Sequence, residues 1–92
     1  MNSIIKETLK NATSICDDAG VRLTEKRKRT LHILLEINRP MSAYEFIDEY
    51  KRNYHESITA MSAYRMLNFL VNENLAHKLL SVNKYTACSH IN

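Results

Sequence analysis

Residues 58–88 set the tightest limit on the fold. Ala60, Ala63, Leu67, Leu70 and Val71 recur at the spacing of one helical face, which predicts a helix over roughly 59–73. Arg65 falls on the opposite face, so the period itself turns it outward, with Tyr64 beside it. Asn74 follows as a plausible left-handed cap. Residues 76–80 and 85–88 then form two short strand candidates, joined by Ser81, Val82, Asn83 and Lys84 as a turn-rich connection. A short helix feeding a hairpin closes the chain.

Three further helices are expected before it. Ile5, Leu9, Ala12 and Cys16 repeat at spacings of three and four, and Ala19 continues the series, so 3–18 is an amphipathic helix capped by Gly20. Thr24 is a good N-cap for a second helix ending near Ile37, with Leu31, Leu34 and Leu35 inward and Ile33 and Ile37 widening the stripe. Pro40 restricts Arg39 and stops it. Ser42 and Glu45 form a capping box for a third helix, which runs to about Arg52 and buries Ala43, Phe46, Ile47 and Tyr50. The expected class is mainly α with a small β-hairpin, a winged helix carrying an extra N-terminal helix.

Ninety-two residues allow one domain with a modest core, and a single Gly and a single Pro argue against linkers. No apolar run approaches bilayer length, and the N-terminus lacks the basic-then-apolar order of a signal peptide, so the expected location is cytoplasmic, away from membranes. In such a reducing compartment a disulfide between Cys16 and Cys88 is not expected. The net charge of +3 is mild. Its distribution says more: Arg22, Lys26, Arg27, Lys28 and Arg29 crowd one stretch, an electrostatic footprint suited to a polyanion. No glycine-rich phosphate loop, nucleophile elbow or nucleophile–base pair occurs, so the chain is not expected to be an enzyme.

The third and fourth helices form a helix-turn-helix candidate, whose second helix would meet base edges in the major groove of double-stranded DNA. Arg65 can donate two hydrogen bonds to guanine, and Tyr64 can touch a thymine methyl or a phosphate. The same pair on another scaffold is a surface arginine beside a core tyrosine; the hairpin that follows favours DNA. Tyr44, at the start of the third helix, suits a phosphate, or equally a half-buried helix-start position. Arg22 precedes the second helix, where a loop arginine can enter a narrow minor groove. Lys26 to Arg29 would add phosphate contacts, although a helix spreads them around its axis into what is more commonly a solvated face. His77 and Cys88 bracket the hairpin as near neighbours, and imidazole with thiolate suits zinc. Two ligands do not make a site; His90 is a possible third, and packing is the plainer role for both strand residues. His32 and His55 have no evident partner.

Gly20-Val21-Arg22-Leu23-Thr24 with Arg27, then Ser42-Ala43-Tyr44, Tyr64-Arg65, His77-Lys78, and Tyr85 with Cys88 form an ordered series. It resembles the N-terminal half of the ferric uptake regulator family, with the zinc uptake regulators as the nearest branch. The resemblance implies a bacterial metal-responsive repressor in which a winged helix precedes a dimerisation domain rich in metal ligands. It also implies that Tyr64 and Arg65 contact bases, that Arg22 approaches the minor groove, and that Tyr44 meets the phosphate backbone. His77 and Cys88 would contribute to the regulatory zinc site, and zinc between the domains would fix their arrangement on a palindromic operator. The intact protein would be a homodimer; this chain, lacking the dimerisation domain, is expected to be a monomer or weak dimer with an incomplete zinc site. The cysteine favours the zinc branch. An iron-, manganese- or peroxide-sensing relative and a protein-interaction winged helix are the alternatives. Ser62-Ala63 stands where the family usually has Thr-Val, which bears on base preference.

Overall fold

The computed structural model describes residues 3–88 and Ile91. Four helices, α1 (Ser3–Asp18), α2 (Glu25–Ile37), α3 (Ala43–Tyr54) and α4 (Ala60–Asn72), precede strands β1 (Ala76–Leu79) and β2 (Lys84–Ala87). This is the winged-helix order expected from the sequence, with α1 as the extra N-terminal helix.

Each helix begins or ends where local chemistry satisfies its orphan backbone groups. The turn after α1 is a Schellman motif. Gly20, at φ 77°, donates its N–H to Asp17 O at 3.1 Å, and Val21 donates to Cys16 O at 2.9 Å. The helix therefore stops before Ala19, which is exposed rather than continuing the apolar stripe. Thr24 Oγ1 accepts from Arg27 N–H and starts α2. Both halves of the Ser42–Glu45 capping box are formed at α3. That helix runs past Arg52 to Tyr54, where His55 takes a left-handed conformation (φ 55°) and donates its N–H to Lys51 O. Thr59 caps α4, and Asn74 (φ 61°) ends it in a second Schellman turn, with Leu75 N–H donating to Leu70 O at 2.8 Å.

The four helices share one core. Leu9, Ala12 and Cys16 from α1, Leu31, Ile33 and Leu34 from α2, Phe46 and Tyr50 from α3, and Leu67 and Leu70 from α4 are buried. Met66, which the expected stripe omitted, is buried with them. Leu35, Ile37, Ile47 and Val71 sit at its margin. Burial first, then Glu73 and Asp17, pushes the Cys16 thiol above its ordinary range, as expected of a small apolar core residue.

The hairpin is antiparallel, with Ala76 opposite Ala87 and Leu79 opposite Lys84. Leu80, placed by the sequence in the first strand, instead belongs to the turn and is exposed. One link was not apparent in the sequence. Met41, just before α3, exchanges two backbone hydrogen bonds with Tyr85, at 2.9 and 2.8 Å. This bridge ties the α2–α3 connection to β2. Tyr85 is fully buried, and its hydroxyl donates to Asn68 of α4 at 3.4 Å. The hairpin is thereby joined both to α4 and to the start of α3. No helix among the described residues is long and apolar enough to cross a membrane.

Candidate nucleic-acid interface

The exposed face of α4 carries Arg65 with Met61, Ser62 and Asn68 three or four residues from it, opposite the buried Ala63, Met66, Leu67 and Leu70. Arg65 points outward, as its period requires. Its guanidinium has no hydrogen-bond, ion-pair or ring partner among the described residues. Tyr64 lies one step around the helix and is half-buried against the core, so only part of its ring meets solvent.

The basic run at the start of α2 divides around the helix. Lys26 and Arg29 turn towards Glu56 in the α3–α4 connection, at 3.2 and 3.6 Å. Arg29 also lies over the Tyr54 ring, 4.7 Å from its centroid, and donates to Tyr50 Oη at 3.5 Å. Arg27 points to α4: its guanidinium carbon stands 3.9 Å from the centroid of the Phe69 ring. It also donates to the Arg22 carbonyl at 2.9 Å. Lys28 borders a cleft between α1 and α2 that includes Lys6 and Lys10. Of the run's four cations, three thus have partners within the protein.

Arg22 and Arg27 are brought together by that hydrogen bond, leaving the Arg22 side chain exposed. Arg27, Lys26 and Arg65 also line one shallow cleft, of about 230 Å³, with Thr24 and Ser62. Two helix N-termini therefore meet at a surface where three cations converge. Glu56 offsets the charge of Lys26, so Arg27, Arg65 and the two helix N-termini supply the positive potential that favours a polyanion. Tyr44 is separate, at the start of α3, and its side chain is 67% exposed. Next to it the Glu45 carboxylate is held below its ordinary range, first by the Ser42 N–H and then by Arg39.

The expected metal ligands are placed less decisively. His77 is exposed on β1, opposite Thr86. Cys88 follows β2, and its N–H donates to Leu75 O at 3.0 Å, extending the ladder. His77 and Cys88 are therefore diagonal neighbours, at about 7–8 Å. Such side chains can converge on one ion, but two donors leave a tetrahedral zinc half coordinated. Among the described residues no group of three or more His, Cys, Asp or Glu is placed to hold a metal, so the pair alone does not fit zinc. His90 lies outside the described residues.

Two histidines without an expected role have structural ones. His55 is the left-handed cap of α3. His32 Nδ1 is 2.7 Å from Tyr54 Oη, while Nε2 lies 3.0 Å from the Glu36 carboxylate without the alignment of a hydrogen bond. Sequence reasoning missed Met61 as a member of the Arg65 face. The signal was present, since Met61 precedes Arg65 by four residues. It also missed Glu56, whose pairing with α2 has no local signature.

No protein-family model matches the chain. It is 32% identical over 83 residues to the zinc uptake regulation protein of Escherichia coli (strain K12), covering 90% of this chain and 48% of that protein. The chain thus spans about half the length of the curated relatives it matches. A zinc uptake regulator complexed with zinc and DNA superposes with a TM-score of 0.88 at 30% identity, covering 96% of this chain and 58% of the other. Holo XcZur superposes with a TM-score of 0.77 at 33% identity, covering 100% of this chain and 60% of the other. In sequence and in fold alike, the chain is a homologue of the N-terminal part of the zinc uptake regulators, in the ferric uptake regulator family.

Proposed function

We propose that this chain is the sequence-reading DNA-binding domain of a zinc-responsive transcriptional repressor. One observation carries the reading: an exposed arginine without a partner among the described residues, in the first two turns of α4, at a cleft shared with Arg27 and Lys26. The second helix of a helix-turn-helix presents those turns to the major groove, and a free guanidinium fits the paired acceptors of guanine. The solved relative complexed with zinc and DNA supports the same assignment.

In this reading Arg65 reads a base, the solvent-facing part of Tyr64 lies beside it, Arg22 approaches the minor groove, and Tyr44 meets a phosphate. Arg27 lends positive charge to the cleft while holding the Arg22 backbone. His77 and Cys88 contribute to a regulatory zinc site whose other ligands lie elsewhere in a longer, homodimeric protein. The Cys88 thiol is what favours zinc over iron. A bacterial regulator of this kind would act on DNA in the cytoplasm, and the reading assigns it no catalytic group.

The test is binding of the chain and its Arg65→Ala variant to duplexes selected from a random library, across a salt series. The substitution should cost about 1–3 kcal/mol and relax preference at one base pair. Equal loss on every sequence would reduce Arg65 to a phosphate contact. Absence of any sequence preference at moderate salt would favour a protein-interaction winged helix instead.

A further inference from the structure

Met61 is the apolar side chain that the packing of α4 leaves over. That helix buries Ala63, Met66, Leu67 and Leu70 and half-buries Tyr64, Phe69 and Val71. Met61, in its first turn, is 65% exposed. It precedes Arg65 by one turn, so the two side chains are neighbours on one face, about 5–6 Å apart at Cβ. Ser62 beside it is short, and its N–H is already engaged by Thr59 Oγ1 at 3.1 Å. Met61 is therefore the longest apolar reach on the surface that presents Arg65.

We propose that Met61 is a specificity-determining residue, its thioether packing against the C5-methyl group of a thymine one or two base pairs from the pair that Arg65 reads. The inference rests on the DNA-binding reading above. One helical turn rises about 5.4 Å, against a step of about 3.4 Å between base pairs, which sets that offset. The thymine methyl is the one apolar mark in the major groove, and apolar side chains read it by contact. An unbranched, polarisable thioether suits the task because it adapts its rotamers to the surface it meets. Arginine and methionine on one face would then recognise a guanine and a nearby thymine together.

Deoxyuridine removes that methyl group and nothing else. The probes are duplexes recovered by the chain from a random library at low salt, with each thymine replaced singly by deoxyuridine. At one or two positions the replacement should weaken wild-type binding roughly fourfold, the worth of one buried methyl. Met61→Ala should bind the thymine duplex more weakly by a similar factor and become indifferent to deoxyuridine at those positions. Met61→Leu should keep the sensitivity. With 13C-methyl methionine labelling, the Met61 ε-methyl should show a nuclear Overhauser effect to a thymine methyl. Because Met61 is exposed, both variants should melt like the wild type, which circular dichroism verifies. Undiminished deoxyuridine sensitivity of Met61→Ala at every position overturns the inference. If in addition Arg65→Ala loses its preference, only the role of Met61 falls. If the library yields no preferred sequence, the DNA-reading proposal falls first.

Discussion

Replacing Arg27 by alanine should destabilise the domain by about 2 kcal/mol. The figure follows from two contacts of one guanidinium. The cation over the Phe69 ring, 3.9 Å from the centroid, is worth about 0.5–2 kcal/mol depending on its desolvation. The side chain is half-buried, which places it in the middle of that range. The hydrogen bond to the Arg22 carbonyl adds a net contribution of about 0.5–1.5 kcal/mol. Loss of the methylene stem from the α2–α4 contact works in the same direction. For a domain of this size, about 2 kcal/mol lowers the melting temperature by roughly 8–16 °C. Thermal and urea unfolding followed by circular dichroism measure it, with Lys28→Ala as the control for loss of a charge on the same helix. Arg27→Lys should recover less than half of the loss, since an ammonium lacks the planar fork that stacks and donates at once. A melting temperature for Arg27→Ala within 2 °C of wild type would refute the reasoning. DNA binding then separates two roles. A residue that meets a phosphate lowers the salt slope by about one when removed. A residue that only holds the Arg22 loop weakens binding and leaves the slope unchanged.

The remaining expectations concern the core, the cap and the metal. Leu34→Ala, at a fully buried position in α2, should cost about 2–5 kcal/mol in urea unfolding; a cost under 1 kcal/mol would mean the core does not centre on this helix. Glu45→Gln should be less stable than wild type at neutral pH. The folded Glu45 carboxyl is held below its ordinary range, so its stabilisation is present above the unfolded value and is lost as pH falls through the lowered folded one. The gap between the two proteins should therefore close in acid unfolding, and a gap that persists at pH 2 would contradict this. The chain alone should bind zinc poorly, because His77 and Cys88 supply two donors; a tight one-to-one calorimetric titration would show further ligands at the site. Its affinity for a single DNA half-site should fall near ~10⁻⁴–10⁻⁶ M, and nanomolar binding by a demonstrable monomer would refute the need for a second half-site.

What was legible in the sequence was local. The Ser42–Glu45 box, the Thr24 cap and the left-handed turns at Gly20 and Asn74 each depend on residues within one helical turn, and each is formed. The outward direction of Arg65 was legible for the same reason, since periodicity alone decides it. Contacts across the chain left no such trace. Met41 follows a proline and reads as loop, yet its backbone completes a bridge to Tyr85. Glu56 sits in a polar connection, yet it gathers Lys26 and Arg29. Met61 illustrates a different failure. Its spacing from Arg65 is as regular as any in the helix, but the apolar stripe that defined the core passed it by and left its face unassigned.

The same long-range contacts explain why a small domain can aim one side chain. Contact with base edges requires α4 to be fixed relative to whatever else grips the duplex, since a loosely held guanidinium forfeits bidentate geometry. Three ties supply that fixity here. Arg27 joins the start of α2 to α4 through Phe69. Tyr85 joins β2 to α4 through Asn68, and Met41 joins the same strand to the entry of α3. Helix α4 is thus held from the α2 side and from the hairpin side, while the face that carries Met61 and Arg65 stays open. Cutting one tie should leave a folded domain whose affinity falls less than its discrimination, because phosphate contacts tolerate small rotations that base edges do not. Tyr85→Phe, which removes a long hydrogen bond to α4 and leaves the exposed Asn68 in place, is the mildest such cut. Its effect should appear in the ratio of selected to scrambled duplex affinities; a uniform loss on both would mean that the hairpin tie serves stability and not aim.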